Sequence, residues 1–171
     1  MRILLFTFLF FVSIKAGAEP RFANLRAGPL AVGWKLVQHY DYARTYKGLI
    51  DSVSGEPTHG ERARPIQTQI WYPARRGGVP VTYADYVRTE ASEEDFTRSA
   101  GEIDAFLSSV REDAAGRVGA RQASDTFEQR MGAVRDASSL EGQFPVVIYA
   151  PGAGGSGREA ADLGEYLASH G

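Results

Sequence analysis

The chain has 171 residues, 43% of them hydrophobic and 23% charged, the balance of an ordinary globular domain. Its formal charge of −2 comes without a basic cluster, which argues against nucleic acid as a partner. With no cysteine, these residues can form no disulfide, thiolate metal site, cysteine nucleophile or cysteine-linked lipid anchor.

Met1-Arg2 gives a short positive start, Ile3 to Ile14 is almost wholly apolar, and Ala16-Gly17-Ala18 supplies a small-x-small pattern. Residues 1–18 therefore read as a secretory signal peptide cut after Ala18. The apolar run is shorter than the ~20 residues that cross a bilayer. The expected location is secreted or periplasmic, with no stable membrane anchor. Without a twin arginine, the general export route fits best. Cleavage removes two of the 19 basic residues and none of the 21 acids, taking the formal charge from −2 to −4.

Glu19 to Leu30, with Pro20, Gly28 and Pro29, reads as an extended lead-in. In the next run, Val32, Trp34, Leu36, Tyr40 and Tyr42 alternate with Lys35, His39 and Asp41, the period of a strand with one buried face. A polar, Gly- and Ser-rich stretch from Asp51 to Arg64 leads to a second strand. There Ile66, Thr68, Ile70 and Tyr72 share a face and Pro73 ends the run.

The middle, from about residue 92 to 135, reads as helical. Ser92 ahead of Glu93-Glu94-Asp95 looks like an N-cap with acids at the positive end of the helix dipole. Phe96, Ala100, Ile103, Leu107 and Val110 then form one apolar stripe, Gly116 and Gly119 break it, and Ala123, Phe127, Met131 and Val134 form another. Phe144 to Ala150 (FPVVIYA) is a continuous apolar, β-rich run, the pattern of a parallel strand covered on both faces. Pro151-Gly152-Ala153-Gly154-Gly155-Ser156-Gly157 follows. Then comes a helix with Ala160, Leu163 and Leu167 inward, ending at His170-Gly171. Strand, Gly-rich turn and helix begin a βαβ unit, which puts the chain in the α/β class.

The Gly-rich turn admits several readings. A phosphate-binding P-loop fails, because Arg158 and Glu159 stand where Lys and Ser/Thr are needed. Gly152, Gly154 and Gly157 match the G-x-G-x-x-G of a dinucleotide-binding module, but the acidic ribose ligand expected ~20 residues on is not among these residues. An oxyanion-hole loop needs glycines so that backbone N–H groups can approach a reacting carbonyl. A flexible turn without a ligand, within a non-catalytic exported binding protein, is the remaining alternative.

The segment FPVVIYAPGAGGS…LGEYLASHG resembles the third strand, oxyanion loop and first helix of α/β-hydrolases of the platelet-activating-factor acetylhydrolase and dienelactone hydrolase type. GPLAVGWKLVQHYDYART and RPIQTQIWYPA are similar to the opening strands of that group, with Trp71-Tyr72-Pro73 the most diagnostic triplet. MGAVRDASSLEGQFP is similar to its lead into the third strand. The resemblance touches most of residues 28–171 apart from the helical middle. It implies the N-terminal part of an α/β-hydrolase fold, residues 19–171: the first three strands, a helical insert and the first helix. It also implies an exported serine ester hydrolase of lipase or acetylhydrolase type, acting on a small-molecule or lipid ester without metal or cofactor.

By that resemblance the backbone at Gly152 and Ala153 forms the oxyanion hole, with the Ala153 N–H as donor. Where many relatives place His before the glycine, this chain has Pro151. No catalytic residue lies in the chain: Ser156 lacks the second glycine of G-x-S-x-G, and the nucleophile, acid and histidine are expected beyond Gly171, so residues 19–171 alone should be inert. His39, His59 and His170 read as solvated side chains, the last at a helix C-terminus where a positive ring suits the dipole. The family's sheet order, 1-2-4-3, would leave the third strand to pair directly with the second. Cleavage after Ala18 predicts a mature chain starting at Glu19. N-terminal sequencing of exported material checks this, and a membrane-bound chain still starting at Met1 would contradict it.

Overall fold

The structure, a computed structural model, describes residues 25–45, 50–51, 53–56 and 63–171. The expected signal peptide and His59 lie outside the described residues. Four strands form one mixed sheet in the order β2-β1-β4-β3, where β1 is Ala31–Asp41, β2 Arg64–Ala74, β3 Pro80–Thr82 and β4 Arg130–Arg135. The helices are α1 (Tyr83–Glu90), α2 (Ala100–Val118), α3 (Ala120–Phe127) and α4 (Ala161–His170), the last preceded by a 3-10 turn over Gly157–Ala160. The α/β class is as expected. No helix among the described residues is long and apolar enough to cross a membrane.

β1 and β2 pair antiparallel along eleven residues, and β1 pairs parallel with β4 through Val32, Gly33 and Trp34. Cross-strand partners share a face, so Val32, Trp34 and Leu36 of β1 stand with Pro73, Trp71 and Gln69 of β2. That face meets α1 and α4 and buries Val32, Trp34, Val81, Tyr86, Ala133, Ala161 and Ala168 around one core. A second core joins Val87, Ala91, Phe106, Leu107 and Phe127. The short helix α1 serves both, because its neighbouring Tyr86 and Val87 are each fully buried, one in either core.

Several expectations are corrected. Ile70 on β2 is exposed, and the core face of that strand is the one carrying Trp71 and Pro73. Pro73 does not end β2. Its carbonyl accepts a 2.9 Å hydrogen bond from the Leu140 N–H on the edge away from β1, where its missing N–H costs no bond to β1. Ser92 caps no helix N-terminus: its hydroxyl donates to the Thr89 carbonyl in the last turn of α1 at 3.2 Å, and α2 starts eight residues later, capped by Ser99, whose hydroxyl accepts from the Glu102 N–H. Gly116 sits inside α2, and Gly119, at φ 89°, is the break. Met131 and Val134 belong to strand β4 rather than a helix. In α4 the inner residues are Ala161, Gly164 and Ala168, while Leu167 is exposed; a Cβ on Gly164 would lie 2.5 Å from the Trp71 ring.

The largest correction concerns Phe144–Ala150. It forms no strand and pairs with neither β2 nor any other element, and Val146 and Ile148 are 85% and 89% exposed. The route of the chain explains this. After β4, Asp136 takes φ 51°, and the backbone crosses the sheet's outer face, where the Tyr72 hydroxyl donates to the Ala137 carbonyl at 2.7 Å. It then bonds the C-terminal end of the free β2 edge through Ser138–Leu140 and departs from it. The remaining β2 edge, from Pro65 to Trp71, carries no charge, and neither does the exposed apolar run. Charges are what usually guard such edges against pairing with another chain. The chain is therefore predicted to self-associate with rising concentration, and Ile148→Lys to suppress this without loss of helix content. Sedimentation velocity checks it, and a wild-type monomer at high concentration would contradict it.

Candidate functional site

The Gly-rich turn rests on a polar layer between the sheet and the end of α1. Gln38 of β1 and Gln67 of β2 both donate to the Ser92 hydroxyl, at 3.2 and 3.1 Å. Gln69 of β2 donates to the Thr89 hydroxyl at 3.0 Å, and that hydroxyl donates back to the Tyr86 carbonyl at 2.7 Å. Thr89 and Ser92 are buried. Glutamines take the inward positions of β2 here because the Thr89 and Ser92 hydroxyls accept from their side-chain N–H groups.

Above this layer the turn has two parts. Its tip, Gly152 to Gly155, is a β-turn closed by a 2.9 Å bond from the Gly155 N–H to the Gly152 carbonyl. Gly154 sits at φ 77° while Ala153 does not take positive φ, the sign pattern of a type II turn. Nothing lies within 4 Å of where a Cβ on Gly152 or Gly154 would stand, and Ala153 is exposed. Its stem, Ser156 to Arg158, is packed down. Gly157 lies against the Gln69 side chain and donates its N–H to Glu93 Oε1 at 3.4 Å, and Arg158 pairs with Glu90 at 2.9 Å. Ser156 is buried, and its hydroxyl has no hydrogen-bond partner among the described residues; nor has Gln69 Oε1.

The carboxylates at the stem are perturbed. Burial pushes Glu93 up to about 7, with the nearby Glu90 and Glu94 adding to the rise, while the Gly157 N–H and Arg158 oppose it. Burial also raises Glu90, against the pull of Arg158. These acids bear on the dinucleotide reading of Gly152, Gly154 and Gly157. The Gly157 N–H is already taken by Glu93, and Glu159 stands in the first turn that follows. A pyrophosphate would meet carboxylates where the motif needs free amides, so that reading loses ground.

Among the described residues the serines and histidines do not assemble into a nucleophile and base. His39 is exposed on β1, on the face away from the core. His170 is exposed at the end of α4, its ring tilted at 49° against the Tyr166 ring with centroids 4.5 Å apart. Its Nδ1 lies 3.3 Å from the Ser169 hydroxyl, but that buried hydroxyl donates to the Tyr166 carbonyl at 2.6 Å and accepts from the Gly28 N–H at 2.8 Å. It staples the lead-in to α4. Ser156 is packed under the turn rather than presented on an elbow. No metal-binding group of His, Asp or Glu occurs among the described residues.

Gly152 and Ala153 thus lie together on the exposed tip with Gly154, while Ser156 and Gly157 belong to the packed stem and His39 and His170 lie on other elements. Sequence reading missed Glu93 as part of the site, because an acid after a serine looks like a helix start, and nothing local reveals that it is half-buried against a loop 64 residues away. Compared with protein-family models, with curated proteins and with solved structures, the chain finds no match.

Proposed function

We propose that residues 19–171 are the N-terminal part of an exported serine ester hydrolase of lipase or acetylhydrolase type, and that Ala153 donates its backbone N–H to the oxyanion of the tetrahedral intermediate. The observation that carries this reading is the exposed type II turn at the head of α4, which presents Ala153 between two open glycines. A backbone amide aimed by a hydrogen-bonded turn needs no reorganisation when charge develops on the substrate oxygen. The resemblance of FPVVIYAPGAGGS…LGEYLASHG to the third strand, oxyanion loop and first helix of the α/β-hydrolases adds the reaction class. The small-x-small pattern ending at Ala18 adds export.

On this reading the nucleophilic serine, acid and histidine come from outside residues 1–171. The exposed apolar run Phe144–Ala150 becomes a strand when a neighbour joins it. Residues 19–171 alone contribute part of an oxyanion hole with no attack to accelerate.

Position 153 is the i+1 residue of a type II turn, where proline fits without strain and removes only the N–H. In the full-length gene product, Ala153→Pro is therefore predicted to lower kcat for p-nitrophenyl acetate by ~10²–10³-fold with KM little changed, the loss of one oxyanion donor. Steady-state kinetics check this. Full activity in the proline variant would contradict the reading, and so would a serine-directed phosphonate mapped to a serine within residues 1–171.

A further inference from the structure

The stem of the Gly-rich turn is held from one side, and the group that holds it carries a proton-dependent charge. Glu93 reaches from the segment after α1 into the cleft beside Gly157, accepting its N–H at 3.4 Å, near the long limit for such a bond. Two further carboxylates of the same stretch, Glu90 and Glu94, act on it there. Among the described residues the cation acting on it is Arg158, which is already engaged by Glu90 at 2.9 Å. The groups below, on β1 and β2, are the neutral amides of Gln38, Gln67 and Gln69.

Apart from the Arg158–Glu90 pair, the rest of the stem is under-bonded. The Ser156 hydroxyl and Gln69 Oε1 are buried without partners among the described residues. At the tip beyond, a Cβ on Gly152 or Gly154 would stand in open space.

We propose that Glu93 is a proton-controlled latch on this stem: protonated, it stays in the cleft and holds Gly157, and ionised, it turns out to water and releases Gly157, leaving the Arg158–Glu90 pair as the stem's remaining anchor. Ionisation strengthens Glu93 as an acceptor, but a single long bond returns less than the loss of water and the repulsion of two neighbouring carboxylates take away. The same balance sets the acid at about 7 when closed, against an ordinary 4.5.

Linkage fixes the sign. The closed stem binds the proton more tightly than the open one, so closure is fully favoured below the ordinary value and weakens as pH rises from there to about 7. Over that window the closed-to-open ratio falls by up to roughly a hundredfold, near tenfold per pH unit at its steepest. Its consequence for catalysis rests on the hydrolase reading, since Gly157 anchors the turn that carries Ala153. The latch itself does not depend on that reading.

The test is amide exchange of Gly157 in the 171-residue chain, read as a protection factor at pH 5 and pH 8 after correction for the intrinsic rate. A side-chain carbon titration of Glu93 in the wild type accompanies it. The latch predicts a tenfold or greater loss of Gly157 protection at pH 8, a Glu93 midpoint well above the ordinary carboxyl value, and in Glu93→Gln a protection that no longer changes with pH. Equal wild-type protection at both values, or an ordinary Glu93 midpoint, overturns it. Ester hydrolysis by the full-length product is scored separately: a working latch without hydrolysis leaves the latch standing and removes the hydrolase reading.

Discussion

One carboxylate ties the sheet to its helices. Glu165 of α4 accepts from the Tyr86 hydroxyl at 2.7 Å and from the backbone N–H groups of Gly132 at 2.7 Å and Ala133 at 3.1 Å. Tyr86 in turn accepts from the Trp71 indole N–H at 3.0 Å. Elements β2, α1, β4 and α4 therefore meet at two side chains. Burial raises Glu165, while its three bonds pull it down. Burial and the Glu165 charge raise Tyr86 far enough that it stays a neutral donor. Removing the carboxylate would strand the donors of the fully buried Tyr86 and Ala133, and each such group costs about 1–3 kcal/mol. That is a large share of a domain stability of roughly 5–15 kcal/mol.

The position of the Gly-rich turn follows from this knot. Glu165 holds the middle of α4, Gly164 lets the helix lie directly on the Trp71 ring, and Gly28 and Leu30 bind the backbone and hydroxyl of Ser169 at its end. With α4 fixed at these points, the stem at Ser156–Arg158 is set over the Gln69–Thr89 layer and against Glu90 and Glu93. Apolar packing and hydrogen bonds together orient α4, while the stem at Ser156–Arg158 is held mainly by polar contacts. A functional loop is free to move when its anchors are few and polar and the helix behind it is rigid.

How much was legible in the sequence depends on how local the cause was. β1 was readable because Val32 and Trp34 alternate with residues that face away from the core. β2 was readable as a strand but not in its orientation: two faces alternate, and the polar layer puts Gln67 and Gln69 inward while Ile70 faces out. Helix α1 was missed because eight residues held by Tyr86 and Val87 in two different cores make no stripe of their own. Met131 and Val134 fit a helical step and a strand equally well over so short a run, and pairing with β1 and β3 decides for the strand. The leucines of α4 suggested the wrong inner face, since close approach to Trp71 favours Gly164 and alanines over bulk. Phe144–Ala150 shows the opposite failure. Its β-propensity is plain, but a strand is a paired state, and no neighbour stands beside it. The Gly-rich turn was legible because its glycines act locally; the acids that grip its stem come from far along the chain.

The claim on which this account turns is that Tyr86 and Glu165 act as one unit that fixes α4 and, through it, the turn. A double-mutant cycle in urea unfolding, with Tyr86→Phe and Glu165→Gln singly and together, measures that directly. The account predicts that the second substitution costs much less once the first is made, with a coupling of about 1–3 kcal/mol, as for residues that share one hydrogen-bond network. Additive losses within about 0.5 kcal/mol would contradict it and would show that Tyr86 and Glu165 act independently.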